Sequence, residues 1–334
     1  MSRPVATWLL LLCWLIGAMV VFGGWVRLTR SGLSMVEWHV MADSLPPLSQ
    51  EAWERTFQQY QQTPEYQQLN TGMSLDEYRA IYYREWGHRL LGRVIGLVLV
   101  VPLAFFLWRR HIPWSLLPAF VGIGLLFAAQ ALVGRFMVAS GLVDAPHVSH
   151  FWLTFHLLCA LVLLGSCLWL RFEGTDGTAG RELAPPRLRR LSLVLLGAVV
   201  LQIALGGLVA GLKAGYLSAT FPLMFDSWIP QGIWALDLWL LNPLENPVTV
   251  HFEHRWFAFG VLGIALVLWR QRRLFVPRLR SAMQVLLVLL GLQVGLGIAV
   301  LLAHMAVAVA LFHQALALGV FAAALRVCHR AFRG

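Results

Sequence analysis

Glu85-Trp86-Gly87-His88-Arg89-Leu90-Leu91-Gly92-Arg93-Val94-Ile95-Gly96 stands where a long polar stretch gives way to an apolar run. An acid, a histidine and two arginines crowd the mouth of what reads as a membrane helix. Ionisable groups are expensive at that depth and ask for a functional reason. Glu253-His254-Arg255-Trp256 repeats the His-Arg part in the second half of the chain.

Composition sets the class around this stretch. Of 334 residues, 59% are hydrophobic and 13% charged. Soluble domains sit nearer roughly one half and one quarter, so this is an integral membrane protein. The net charge of +10 could suggest nucleic acid. Its distribution argues against that: Lys213 is the only lysine, and the arginines cluster in short loops between apolar runs. The four cysteines, Cys13, Cys159, Cys167 and Cys328, lie in or beside apolar runs without a CxxC spacing. They support neither a disulfide framework nor a zinc site, and read as small packing residues. No Ala-x-Ala site follows the first apolar run, so it reads as a retained helix and not a cleaved signal peptide.

A spanning helix needs about 20 largely apolar residues. Eight runs qualify, at 7–26, 90–108, 114–133, 151–170, 191–212, 256–269, 282–303 and 307–327. The sixth is short unless it starts near His251. Loop charge orients them. With the N-terminus inside, the inner segments hold 16 of the 26 basic residues, including Arg109, Arg110, Arg181, Arg278, Arg326 and Arg330. Only Glu173, Asp176 and Glu182 accompany them, so both termini are expected in the cytoplasm. The outer side then carries two long segments. Residues 30–84 include Gln58-Gln59-Tyr60-Gln61-Gln62, read as surface or short helix. Residues 213–250 carry Thr220-Phe221-Pro222-Leu223-Met224 and several tryptophans, suited to an amphipathic piece at the interface.

An internal repeat organises the eight helices. The second and sixth open with Glu-x-x-His-Arg and Glu-His-Arg. The third and seventh share Gln-x-x-x-Gly, at Gln130/Gly134 and Gln293/Gly297, and the fourth and eighth carry His156 and His313 near their start. A repeat of four helices keeps its orientation. The expected fold is therefore all-α: two four-helix bundles related by a pseudo-twofold along the membrane normal. Residues 1–175 form one bundle with its long outer loop, 176–190 a basic linker, and 191–334 the other bundle.

Eleven histidines are present. His39, His111, His147, His150, His251, His304 and His329 read as solvated or interfacial. His88, His156, His254 and His313 all sit on even-numbered helices near the outer end, within roughly 8–12 Å of the mouth at 1.5 Å per residue. That makes one layer, two per bundle. Metal-only sites would need more donors. Two histidines on facing helices suit the two axial positions of a haem. Four residues after each histidine stands Gly92, Ala160, Ala258 or Ala317, leaving room for a flat ring, although small residues also serve ordinary helix packing. Arg27, Arg89, Lys213 and Arg255 could pair with haem propionates or simply snorkel. Glu85 shares a helix face with His88. It reads either as an acid acting at the porphyrin edge or as a salt bridge to Arg89. Glu253 stands one residue before His254 and points elsewhere, so the halves are not equivalent.

These motifs closely resemble the haem A synthase family of cytochrome oxidase assembly, in its proteobacterial and mitochondrial branch. The likeness covers nearly the whole chain. It is strongest at Glu85–Gly96, Val209-Ala210-Gly211-Leu212-Lys213-Ala214-Gly215, Thr220–Met224, His254-Arg255 and His313-Gln314. The resemblance implies eight helices in two bundles in the bacterial inner membrane. It implies oxidation of the ring D methyl of haem O to a formyl group through an alcohol. It implies resident haem b with its iron on His254 and His313, the substrate haem iron on His88 and His156, and a functional glutamate at Glu85. Its implied partners are haem O, haem O synthase, an electron carrier, the lipid bilayer and a second copy of the chain, with no nucleic acid. The loop cysteine pairs of some members are absent here. On the histidine layer alone, a non-enzymatic dihaem b-type electron-transfer subunit or a haem carrier would fit as well.

Overall fold

A computed structural model describes residues 2–38, 44–142, 146–176 and 183–333. His39, and Arg181 and Glu182 of the basic linker, lie outside the described residues. Among those described, the chain is all-helical, and eight helices are long and apolar enough to cross a membrane. They are α1 (Arg3–Leu28), α4 (Leu75–Trp108), α5 (Leu117–Ala139), α6 (His150–Thr175), α7 (Pro186–Gly211), α9 (Pro247–Arg270), α10 (Pro277–Leu302) and α11 (Val307–Arg333). The short helices α2 (Gln50–Gln61), α3 (Pro64–Leu69) and α8 (Asn242–Glu245) lie in the long connections. Contacts divide the chain into two compact units, Met1–Leu164 and Gly165–Gly334, with the division falling inside α6.

Local chemistry explains the boundaries. Proline stands in the first turn of α1, α7, α9 and α10, where its missing N–H costs nothing. Asn246 caps α9 by accepting from Val248 N, so this helix starts nine residues before the apolar run and takes in His251. Ser74 and Glu77 form a capping box that starts α4 well outside the hydrocarbon. At 34 residues α4 is about 51 Å long against a ~30 Å apolar core. Its first turns therefore project from the membrane and carry Glu85 and His88 on regular helix.

In the first unit, α4 packs on α1 and α2. Trp53, Tyr60, Tyr78 and Tyr82 form an aromatic core where α2 meets the projecting end of α4. The Gln-rich segment is thus helix, but its Tyr60 is buried rather than surface. Burial, then the neighbouring Glu65 carboxylate, pushes the Tyr60 phenol well above its usual range. Pro102 lies inside α4 and cannot donate to the carbonyl of Val98. The Trp8 indole of α1 donates there instead, at 2.7 Å.

In the second unit α7 packs on α9 and α11, and α10 on α11 and α9. Residues 213–246, within the stretch read as an amphipathic interfacial piece, are mostly irregular and expose Trp228, Trp234 and Trp239. They form turns, 3-10 turns and the four-residue α8. Buried Asn242 and Asn246 brace them, the latter donating to Gly232 O at 2.8 Å. At the other end of this unit, Asp176 accepts from Arg326 at 2.6 and 2.8 Å and from Arg330 at 2.8 Å. His329, expected to be solvated, is fully buried beside it, edge-on to Trp169 and 3.4 Å from Glu173. The outward faces are apolar, as at Trp14, Leu97 and Leu125, which suits lipid rather than water.

Two outcomes follow from these contacts. Trp8→Phe leaves the Val98 carbonyl unpaired in an apolar setting and lowers stability by about 1–3 kcal/mol, read as the thermal midpoint in detergent. Burial pushes the Asp176 carboxyl up, but the Arg326 and Arg330 hydrogen bonds and charges outweigh it and hold it below the usual carboxylate range. A lowered carboxyl contributes stability in full above its unfolded value and loses it as pH falls towards the folded one. Asp176→Asn therefore costs about 1–3 kcal/mol at pH 7. The gap from the parent chain stays constant down to about pH 5 and narrows below about pH 4.

Candidate haem-binding site

Four histidine rings sit against four bare glycine backbones. A methyl group built on Gly23 of α1 would lie 3.0 Å from His88 Nε2 of α4. One on Gly134 of α5 would lie 3.0 Å from His156 of α6. One on Gly206 of α7 would lie 3.0 Å from His254 of α9, and one on Gly297 of α10 3.1 Å from His313 of α11. Few real Cβ contacts are that tight, so any larger residue would push the ring or the helix back by a few tenths of an ångström, and glycine lets the helices meet over the ring undisturbed. In the second unit the His254 and His313 rings come together, with centroids 6.4 Å apart and planes at 83°. No group of three or more His, Cys, Asp or Glu able to hold a bare metal ion occurs among the described residues.

Three of the rings also meet a glutamine. Gln130, Gln202 and Gln293 stand one turn before Gly134, Gly206 and Gly297, on the same helix face. Each donates its amide N–H to the main-chain carbonyl of its histidine, at 3.1, 2.9 and 3.1 Å. Each amide nitrogen also lies 3.1–3.3 Å from a ring nitrogen. Because a carbonyl can only accept, the amide nitrogen must face it. Oε1 of all three glutamines is then buried without a partner. The third glutamine, Gln202, escaped the sequence reading although its Gln-x-x-x-Gly spacing was there to be read.

An arginine follows the leading histidine in each unit and ties down the long connection that precedes its helix. Arg89 donates to Glu37 O at 2.9 Å and Met35 O at 2.8 Å, and stacks 4.6 Å over Trp38. Arg255 donates to Thr220 O at 2.9 Å and Ser218 O at 2.8 Å, holding the Thr220–Met224 segment. Its Nε donates to His251 Nε2 at 3.1 Å. His251, expected to be interfacial, is therefore a buried member of this network. Arg27 and Lys213, at the ends of α1 and α7, are half-buried.

The first unit adds a carboxylate. Glu85 is 3% exposed and its two oxygens are fully engaged. Oε1 pairs with Arg89 at 2.6 Å, while Oε2 accepts from Ser34 Oγ at 2.8 Å and Met35 N at 2.9 Å. The salt bridge considered from spacing is present, and two loop donors complete it. Tyr78 donates to Ser34 O at 3.1 Å, so the aromatic core outside the membrane supports the same loop.

The family model for the COX15-CtaA cytochrome oxidase assembly proteins matches residues 6–325. The chain belongs to this family. It is 41% identical over 307 residues to heme A synthase of Nitrosospira multiformis, covering 90% of this chain and 86% of that one. Heme A synthase of Maricaulis maris is 43% identical over 311 residues, covering 90% and 88%. Heme A synthase of Nitrosomonas eutropha is 40% identical over 333 residues, covering 98% and 93%. Cys13, Cys167 and Cys328 are buried in the helices.

The residues fit a haem. A metal-bound imidazole presents its second nitrogen as an N–H that needs an acceptor. His156 Nδ1 is itself buried without a partner, as are the oxygens of the three glutamines whose amides reach the rings, so the site holds polar atoms still to be satisfied. The arginine anchor gives a direct outcome. Arg255→Met removes charge-assisted bonds each worth about 1.5–3 kcal/mol. It makes residues 217–224 sensitive to protease in the detergent-solubilised protein, with a lowered thermal midpoint.

Proposed function

We propose that the chain is a haem A synthase of the bacterial inner membrane, oxidising the ring D methyl group of haem O to a formyl group through an alcohol. The observation that carries this is four histidines, two in each unit, each ring packed on a glycine of a neighbouring helix. They stand in a chain 40–43% identical to proteins named heme A synthase. Haem b belongs on His254 and His313, whose ring centroids lie 6.4 Å apart. His88 and His156 take the substrate haem O. The bundles are two, related by a pseudo-twofold along the membrane normal, with both termini cytoplasmic.

A bound haem b supplies one-electron redox chemistry. The protein's own groups hold, orient and shield. Arg27 and Lys213 are the cations proposed for the propionates. Arg89 and Arg255 act by fixing the outer connections over the layer, since their donors are engaged with loop carbonyls. Glu85 acts as a fixed negative charge three residues from His88, favouring a developing cation at the substrate edge. Its engaged oxygens make that role simpler than proton acceptance, which would break bonds to Ser34, Met35 or Arg89. A dihaem electron-transfer subunit would also fit the histidine layer. It accounts for neither Glu85 nor the name its relatives share.

Cells that make haem O are expected to gain haem A, or the hydroxylated intermediate, when this chain is expressed, as read by chromatography of extracted haems. Absence of both products overturns the function. Glu85→Gln is expected to retain haem and lower product yield by 10²-fold or more, on the order of one lost electrostatic contact in a transition state. A product yield equal to the parent's would remove Glu85 from the reaction.

A further inference from the structure

The fourth histidine breaks the glutamine pattern. One turn before Gly23, where the other three helices place Gln130, Gln202 and Gln293, α1 carries Met19. Its Cε would lie 3.4 Å from a methyl built on Gly92, the residue one turn after His88. At the other three sites that residue is Ala160, Ala258 or Ala317. Two substitutions thus go together. A glutamine paired with alanine becomes a methionine paired with glycine, and the methionine tip occupies the room that glycine leaves.

The consequence for His88 is chemical. Gln130, Gln202 and Gln293 each grip the carbonyl of a histidine and stand beside its ring nitrogen. A thioether donates no hydrogen bond and accepts one only weakly. Phe22 meets the His88 ring edge-on, at 5.9 Å between centroids. Packing alone therefore steadies this ring, and methionine is the most adaptable of packing residues.

We propose that the three glutamines are positioning residues that hold His156, His254 and His313 in place through their main-chain carbonyls, and that the Met19–Gly92 pair leaves His88 as the one ligand able to let go. A resident haem is then held by two locked histidines. A haem that must arrive, react and leave is held by one locked ligand, His156, and one yielding ligand, His88. This deepens the proposed function and rests on its assignment of the substrate to the first pair. The measurement below does not depend on turnover.

The full chain is purified in detergent and saturated with ferric protohaem, and release is followed by transfer to excess apomyoglobin. Two phases are expected, with His88→Ala removing the fast one. The double variant Met19→Gln with Gly92→Ala copies the pair found at the other sites. It slows the fast phase about ten-fold, the change expected of one hydrogen bond, and leaves the slow phase unchanged as an internal check of folding. Gln202→Leu speeds the slow phase by a similar factor and shifts the low-spin ferric resonance signals, which a loss of packing alone would not move. A fast phase within two-fold of the parent's in the double variant overturns the inference. So does a single release phase in the parent, or a Gln202→Leu protein with unchanged rate and resonances. If the double variant does not accumulate, Gln130→Leu decides: it must accelerate the fast phase, and no acceleration refutes the proposal. A chain that releases haem as expected but makes no haem A from haem O loses the function and keeps the inference. One that makes haem A with release rates unaffected by these changes does the reverse.

Discussion

The contact on which the site depends is a histidine ring lying on a glycine backbone. It recurs four times, with a Cβ allowed no nearer than about 3.0 Å at any of them. The constraint acts on both partners. Glycine lets the neighbouring helix approach without displacing the ring, and the close approach helps bury it. Helix association in a bilayer gains little from the hydrophobic effect, so such close backbone packing has to supply the attraction. The same contact that joins the helices therefore also sets where the ligands point.

Burial explains the second recurring device. The connections before α4 and α9 bring backbone carbonyls against the site, where unsatisfied groups are costly. An arginine one residue after the leading histidine meets them. Arg89 takes Met35 and Glu37, and Arg255 takes Ser218 and Thr220. Each guanidinium is balanced differently. Arg89 has the Glu85 carboxylate, whereas Arg255 has the neutral ring of His251 alongside it. The His-Arg dipeptide is thus one module, with the histidine facing the site and the arginine closing the loop above it.

Length and apolarity made the eight spans legible, because hydrocarbon thickness dictates both. The four histidines could be singled out for a similar reason: helical rise converts sequence distance into position along each helix. What escaped was set by boundaries and by partners distant in sequence. His251 looked interfacial because the apolar run begins at Trp256, yet Asn246-Pro247 is a helix start that sequence alone supplies. His329 looked solvated because nothing local foretells that Asp176, some 150 residues away, gathers Arg326 and Arg330 around it. The glutamine contacts needed three dimensions, since the residue four before a glycine matters only once the facing histidine is known. The family resemblance added the reaction and the division of labour, which no spacing could provide.

The two halves differ where a reaction would need them to differ. A repeat of four helices provides two copies of one haem cradle, and a cradle alone binds. In the first unit two departures occur on the same pair of helices, α1 and α4. A carboxylate, Glu85, is fixed beside the leading histidine by three donors, where the second unit has Glu253 on another face. On the far side of the same histidine, glutamine gives way to Met19 and alanine to Gly92. On the proposed assignment, the first change adds charge where a substrate edge would lie, and the second removes a restraint from the histidine proposed to hold it. Charge without release would trap a product, and release without charge would only carry haem. Under that proposal, their coincidence on one histidine separates a catalytic half from a binding half.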